Sequence, residues 1–509
     1  MRLTPLLLLW LVASCSPTGD APAGLTIVNA TIVDGTGAPR YGGALRLVGD
    51  SIVAVGPEVA PAPGDSVVDA GGLVLAPGFI DSHSHHVSGL PETPDALAVV
   101  SQGITTIVAG QDGGHPMPLA AAMDSIARVG AAVNVAFYAG HGSIRRAVLG
   151  DDFRRAATSA EVDSMAALLE RELGAGALGL STGLEYDPGI YSERSEVLAL
   201  AKVAAAAGGR YISHVRSEDR WFWDAIDEIL AIGREARIPV QISHVKLAMV
   251  PLWGQADSLI RVLDRARADG IEVTADIYPY PYWQSTLTVL FPKRDFDNRA
   301  EAEKILRELA KPEGLLIGDF AANPEYQGKT VAEIARLRRE DPAATLMGLI
   351  RESQAYARRL GGEAGVVESV VATSMAEPDI ERLMAWEHTN VCSDGALEGA
   401  HPRGFGAFPR VLGRYVRERG VLTLEDAVRK MTGATAAHLG FERRGTLAPG
   451  KAADLVLFDP ATIGDRATPA EPHLVSVGVR RVWVAGREVW DGAATTGALP
   501  GAVIRRGER

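Results

Sequence analysis

The 509-residue chain is poor in cysteine, with only Cys15 and Cys392. Two thiols cannot build the disulfide framework of a small secreted domain. It has no basic run, and its net charge is −12. That balance excludes the electrostatic footprint of a nucleic-acid binder. No apolar stretch reaches the ~18 residues of a membrane-spanning helix. What remains is ordinary globular composition, 47% hydrophobic and 22% charged. The length allows two or three domains, or one large barrel with additions.

Residues 1–24 read as a targeting segment and tether. Arg2 precedes the apolar run Leu6 to Val12, and small residues Ala13 and Ser14 lead to Cys15. A charged start, a short apolar core and small residues make a secretory signal. Val12-Ala13-Ser14-Cys15 also resembles the bacterial lipobox, in which the cysteine becomes the lipidated first residue. The expected location is the bacterial cell envelope, facing the periplasm, with membrane contact only through a lipid on Cys15.

Residues 25–72 and 441–509 share one texture of short β-rich runs between turn residues, as in Ser51-Ile52-Val53-Ala54-Val55 and Val479 to Val484. Between them, strand-like apolar runs alternate with helical stretches. The strand candidates are Leu73–Ile80, Ile104–Ala109, Ala132–Ala139, Ala177–Ser181, Arg210–Ser213, Val240–Ser243, Glu272–Ile277 and Asn390–Ser393. Eight such strands with intervening helices give an α/β fold, a (β/α)8 TIM-like barrel, over residues 73–440. Residues 293–365 exceed a normal connection and read as an inserted subdomain, a candidate lid. Val366–Thr373 is a candidate ninth strand.

The histidines fall at strand ends. His83 and His85 close the first strand and share a face, because residues i and i+2 point the same way. His214 and His244 each follow a serine at the end of an apolar strand. Strand C-termini converge on one mouth in such a barrel, so four histidines there form a divalent-metal constellation, with zinc the expected ion and one or two per chain. His86 is out of phase and reads as a neighbour. His115, His388, His438 and His473 read as ordinary polar residues. Asp394 ends the last strand, across the mouth from His83. A carboxylate there touches the metal, takes a proton from its water as general base and returns it to a leaving amine. Glu185, beyond the fourth strand, is placed to bridge two metals. Cys392 reads as a buried small hydrophobe.

Several segments together resemble the amidohydrolase superfamily and, within it, the N-acyl-D-amino-acid deacylase (D-aminoacylase) family. They include Gly78-Phe79-Ile80-Asp81-Ser82-His83-Ser84-His85, Gly140-His141-Gly142, Ser181-Thr182-Gly183-Leu184-Glu185, Ser243-His244-Val245-Lys246, Asp276-Ile277-Tyr278, Ser393-Asp394-Gly395 and His401-Pro402-Arg403. The resemblance spans about residues 25 to 490. It implies a metal-bearing barrel, a small β-sandwich built from both chain ends, and hydrolysis of the amide bond of N-acyl-D-amino acids or related dipeptides. Carried over, His83 and His85 bind one metal, His214 and His244 a second, and Asp394 is the acid/base. Lys246, Tyr278 and Tyr191 match positions that hold the substrate carboxylate or polarise its carbonyl. Arg403 is a further carboxylate candidate, and His141 a candidate for lining the pocket. Tyr280, Tyr282 and Trp283 are candidates for an apolar wall around the acyl group.

One departure matters. The metal-binding cysteine that such enzymes carry after the second strand is absent from Val108-Ala109-Gly110-Gln111-Asp112-Gly113-Gly114. The bridging role is therefore expected of Glu185, with Asp112 as second choice. Lactone, cyclic-imide and phosphotriester hydrolysis use the same metal chemistry and stand as alternatives. A solute-binding lipoprotein on a degenerate barrel is the non-enzyme alternative, and it predicts a missing catalytic carboxylate, whereas Asp394 is present. The expected partner is a small molecule bearing a carboxylate, with no nucleic acid. Cys15→Ser tests the anchor: it is expected to move the protein from the membrane fraction to the soluble one, and unchanged fractionation would refute lipidation.

Overall fold

The computed structural model describes residues 23–361 and 367–507. The lipobox and Cys15 lie outside the described residues.

Eight parallel strands make the barrel: Phe79–Asp81, Ile104–Ala109, Asn134–Phe137 continuing into Ala139–Gly140, Gly179–Gly183, Arg210–His214, Val240–Ile242, Val273–Ile277 and Thr389–Val391. Most read as continuous apolar runs because barrel filling lies on one side and helices on the other; all six residues of Ile104–Ala109 are buried. Ile80, Val108, Ala136, Tyr138, Leu178 and Ile212 pack together inside. The last strand closes on the first through Asp394 N to His83 O and His85 N to Gly395 O. Apolar faces of the outer helices cover the ring. The helix Ser159–Gly174 starts at a capping box in which Thr158 and Glu161 satisfy each other's backbone N–H groups.

Leu73–Ile80, expected as one barrel strand, is two. Val74–Pro77 lies in a second sheet between Leu25–Ile32 and Leu455–Phe458, and only Phe79–Asp81 enters the barrel. Gly78 makes the change of sheet, since a Cβ there would lie 2.2 Å from Thr105. This second, eight-stranded sheet takes strands from both chain ends and has its own core of Ile27, Leu45, Leu75, Leu455 and Trp483. After Trp490 the chain leaves the sheet and runs back to the barrel. Ala502 and Ile504 bond to Val135, and the Arg506 guanidinium donates to the carbonyls of Leu173, Ala177 and Ala207.

The insert is wider than 293–365. The described part of the expected ninth barrel strand, 367–373, supplies none: Glu368–Thr373 is the middle strand of an antiparallel sheet between Tyr282–Ser285 and Leu315–Phe320. Both of its edges are taken there. With the helices Arg299–Glu308, Val331–Arg338 and Pro342–Arg359, this sheet encloses a separate apolar core.

Glu368 is buried in that insert, with both carboxylate oxygens facing the Leu287 N–H. Burial pushes its pKa up to about 7. A carboxyl that binds its proton more tightly when folded stabilises the fold at low pH. That stability is lost as pH rises from the unfolded value, near 4.5, through about 7. Glu368→Gln should therefore raise the melting temperature at pH 8, by on the order of 2 kcal/mol in stability, and give little gain at pH 5. Equal shifts at both pH values would contradict this.

Candidate metal centre

Several strand ends at the barrel mouth contribute polar side chains to one centre. His83 and His85 follow the first strand, and His214 is the last residue of the fifth. His244 and Asp394 lie just beyond the sixth and eighth strands, and Asp112 sits in the turn after the second. Asp112, His244 and Asp394 all have left-handed backbone, with φ of 53°, 33° and 48°. Non-glycine residues enter this region at a cost of roughly 1–2 kcal/mol, and such residues collect at functional sites. Gly110, at φ 76°, makes the Asp112 turn possible, because a Cβ there would lie 2.1 Å from the Tyr138 carbonyl oxygen.

These side chains meet at one point. Asp112 Oδ2 lies 3.3 Å from His83 Nε2 and 3.2 Å from His85 Nε2. Asp394 Oδ1 lies 3.4 and 3.2 Å from the same two nitrogens. Asp112 Oδ1 is 3.4 Å from His244 Nε2, which is 3.1 Å from His214 Nδ1. Ligands at ~2.0–2.1 Å from a tetrahedral ion stand about 3.3 Å apart, so these edges fit a shared divalent cation. Both ring nitrogens of His83 and Oδ1 of Asp112 are buried without a hydrogen-bond partner. Buried polar atoms are rarely left so, which again fits a metal.

The electrostatics point the same way. Burial lowers the pKa of His85, but hydrogen bonds to Asp112 and Asp394 outweigh it and raise the value to about 9. Burial and Lys246 lower that of His244, while Glu218, Asp112 and Asp394 raise it to about 10. The carboxylates thus demand positive charge at this point. Burial would raise the Asp394 carboxyl, but Arg403 and the histidines hold it well below the usual range. Arg403 reaches its Oδ2 at 2.5 Å.

A second layer of carboxylates stands behind the imidazoles. Asp276 Oδ1 is 3.7 Å from His83 Nδ1, Glu218 Oε1 is 3.0 Å from His244 Nδ1, and Glu185 Oε2 is 3.0 Å from His214 Nε2. Glu185, expected as the bridge, thus lies on the outer edge of one ring, and Asp112 occupies the place between the two histidine pairs. Burial raises the Glu185 carboxyl, and Asp219 adds to the shift.

The centre opens into a cleft. Lys246, Tyr278 and Arg403 line it, as does Trp283 together with Val289, Leu290 and Leu309 of the insert. The insert is thus one wall of the cleft. Lys246 Nζ lies 2.6 Å from Glu218 and 2.7 Å from His244 Nδ1. Tyr278 has a buried, unpartnered hydroxyl, and its ring lies under Arg403, 4.7 Å away. Tyr280 and Tyr282 do not line this cleft with Trp283; they pack on His401.

Two further sequence candidates fall elsewhere. Tyr191 packs on Phe153, and Tyr186 lines the cleft instead, its ring 4.4 Å from that of His214. The loop after the fourth strand turns at Pro188 and Gly189 and carries Tyr191 away. His141 is fully buried and meets Glu196 at 2.7 Å, beside Arg145, so it holds the fold rather than lining the cleft. His86 bonds Ser84 and the Gly404 carbonyl, outside the cluster. Cys392 is a buried free thiol. Glu218, Asp276 and Tyr186 were not singled out for the centre from sequence, although Glu218 stands four residues after His214 and Asp276 two before Tyr278.

An amidohydrolase family profile matches residues 66–314 and 300–490. The D-aminoacylase of Alcaligenes xylosoxydans xylosoxydans is 35% identical, over 96% of this chain and 99% of its own. The N-acyl-D-aspartate deacylase of the same organism is 38% identical, over 97% of each. Among solved structures, a D-aminoacylase superposes with a TM-score of 0.84 at 33% identity, covering 95% of this chain and 100% of that one. The N-acyl-D-glutamate deacylase of Bordetella bronchiseptica, complexed with zinc and a phosphonate mimic of the tetrahedral intermediate, gives 0.83 at 35%, with the same coverage.

His244→Ala is expected to lose bound metal, read as metal per chain after dialysis. His141→Ala should keep its metal and lose about 1–3 kcal/mol of stability, because Glu196 is left with one buried partner fewer. Metal loss in His141→Ala would reverse the assignment.

Proposed function

The chain belongs to the amidohydrolase family, and from that premise we propose that it is a metal-dependent hydrolase that removes the acyl group from N-acyl-D-amino acids. Asp394 carries the reading. One oxygen faces His83 and His85, and the other is held by Arg403. A single carboxylate thus joins the metal cluster to the cationic side of the cleft.

His83, His85, His214, His244 and Asp394 would hold the divalent ion or ions, zinc being the expected metal. When bound, such an ion polarises an amide carbonyl and makes water a stronger acid. Asp394 stays ionised beside Arg403, so it can accept a proton from the attacking water and pass it to the leaving nitrogen. Arg403 and Lys246 supply charge-assisted hydrogen bonds for the substrate carboxylate. The Tyr278 hydroxyl, unpartnered and on a ring that both cations approach, is free to donate to the same group. Trp283, Val289, Leu290 and Leu309 exclude water and offer an apolar surface to the substrate. The N-terminal lipobox supports a place in the cell envelope, tethered through Cys15.

A panel of N-acetyl-D- and N-acetyl-L-amino acids, dipeptides and lactones tests the reading. Turnover of the D-series is expected. Turnover of lactones without acyl-amino acids or dipeptides would overturn it. Asp394→Asn should lower kcat by about 10²–10⁴-fold, and full activity in that variant would remove Asp394 from the mechanism.

A further inference from the structure

A second cavity adjoins the centre at His85 and Asp112, and the reading above leaves it unused. We propose that it is a groove for the substrate's acyl group, and that it suits a medium-chain fatty acyl group rather than acetyl alone. This rests on the deacylase reading and adds the acyl class to it, but its test also reads binding without turnover.

The centre is open on the His85 side. The His85 side chain is 38% exposed, against 0%, 3% and 2% for His83, His214 and His244. With Asp112 it lines a cavity of about 710 Å³. The cavity runs between the turn that follows the first barrel strand, the turn that follows the second, and the helix Leu119–Val129. Val87, Pro91, Pro116, Ala122, Ile126 and Phe137 give it an apolar surface. Phe137 is fully buried in the third strand, and Val87 packs on the barrel core, so this surface is backed by fixed structure. The room comes from small side chains. Ala122 and Ser125 stand three residues apart and so share a face of the helix. A large side chain at either place would fill the groove.

Charge decides which part of the substrate enters it. The carbonyl carbon of an acyl-amino acid bears two branches, the nitrogen with its carboxylate-bearing carbon and the acyl chain. A carboxylate needs a cation, and Lys246 and Arg403 stand in the cleft beside the insert. Among the described residues no Lys or Arg lines the groove, and Glu92 does, so a carboxylate is repelled there. With the carbonyl at the centre, the nitrogen branch takes the cleft and the acyl branch takes the groove. Size then sets the acyl class. Cavities of about 300–1,000 Å³ hold drug-sized ligands, and the single methyl of an acetyl group leaves most of this one wet. Each further methylene buried against the groove is worth up to about fourfold in affinity.

The test compares N-acetyl-, N-butanoyl- and N-octanoyl-D-leucine as substrates of the zinc-loaded full-length protein, and acetate with octanoate as ligands by calorimetry. The octanoyl substrate should exceed the acetyl one in kcat/KM, through a lower KM, and octanoate should bind about 10–100-fold more tightly than acetate. Ala122→Phe should lower both octanoyl-to-acetyl ratios at least about tenfold, and Ser125→Phe answers in its place should that variant fail to fold. The proposal is overturned if octanoyl is neither turned over nor bound better than acetyl, or if both ratios survive in a folded Ala122→Phe or Ser125→Phe. It is also overturned if the two branches prove exchanged, with Leu309→Phe in the cleft changing the acyl ratio and Ala122→Phe changing the preference among amino-acid side chains. Absence of turnover for all three substrates would refute the deacylase reading. Tight octanoate binding that Ala122→Phe abolishes would then leave the groove standing as a fatty-acyl site.

Discussion

The barrel mouth gathers more buried carboxylate than it could hold unaided, and much of the molecule is arranged around that fact. An isolated buried charge is very costly, so it must be paired and hydrogen-bonded. Asp394 has Arg403, Glu218 has Lys246, Glu185 has His214, and Asp112 is ringed by His83, His85 and His244. These partners come from separate barrel strands or the loops that follow them, so their meeting depends on closure of the ring. The left-handed backbone at Asp112, His244 and Asp394 is tolerated because the neighbouring strands fix the chain on both sides. The surplus of negative charge left at the centre is what a divalent cation neutralises.

The insert acts on the same centre from above. It has its own core, so it can present Trp283, Val289, Leu290 and Leu309 as a firm apolar wall rather than a loose loop. It is tied to the barrel loops by Arg220 with Glu301, and by Arg294 with Asp187 and the Glu185 carbonyl. The last of these anchors reaches the residue that backs His214. The wall of the cleft and the orientation of a metal-facing histidine are therefore mechanically connected.

The fold was legible because a parallel barrel writes its strands as apolar runs and its site as polar residues at their ends. Ile104–Ala109 and Val273–Ile277 stand almost as the sequence marks them, and so do the four histidines. Two kinds of information were hidden. The first is sheet membership: Leu73–Ile80 and Glu368–Thr373 look like barrel strands, because an apolar run does not say which partner it pairs with. The second is the direction of loop side chains. Glu185 and Asp112 both follow strand ends and both carry carboxylates. Only the turn allowed by Gly110 aims Asp112 inward, while Glu185 meets the outer edge of a ring. Tyr186 lines the cleft and Tyr191 does not for the same reason, since the loop turns between them.

The sheet shared by both chain ends also sets the order in which the molecule can be finished during synthesis. Val74–Pro77 takes its antiparallel partner from Leu455–Phe458. Asp394 leaves the ribosome before that partner does, so every ligand of the centre exists while this edge is still open. An open edge is a template for pairing with another chain. The seam between the two sheets can therefore close only when the last part of the chain arrives, however early the ligands of the centre are in place.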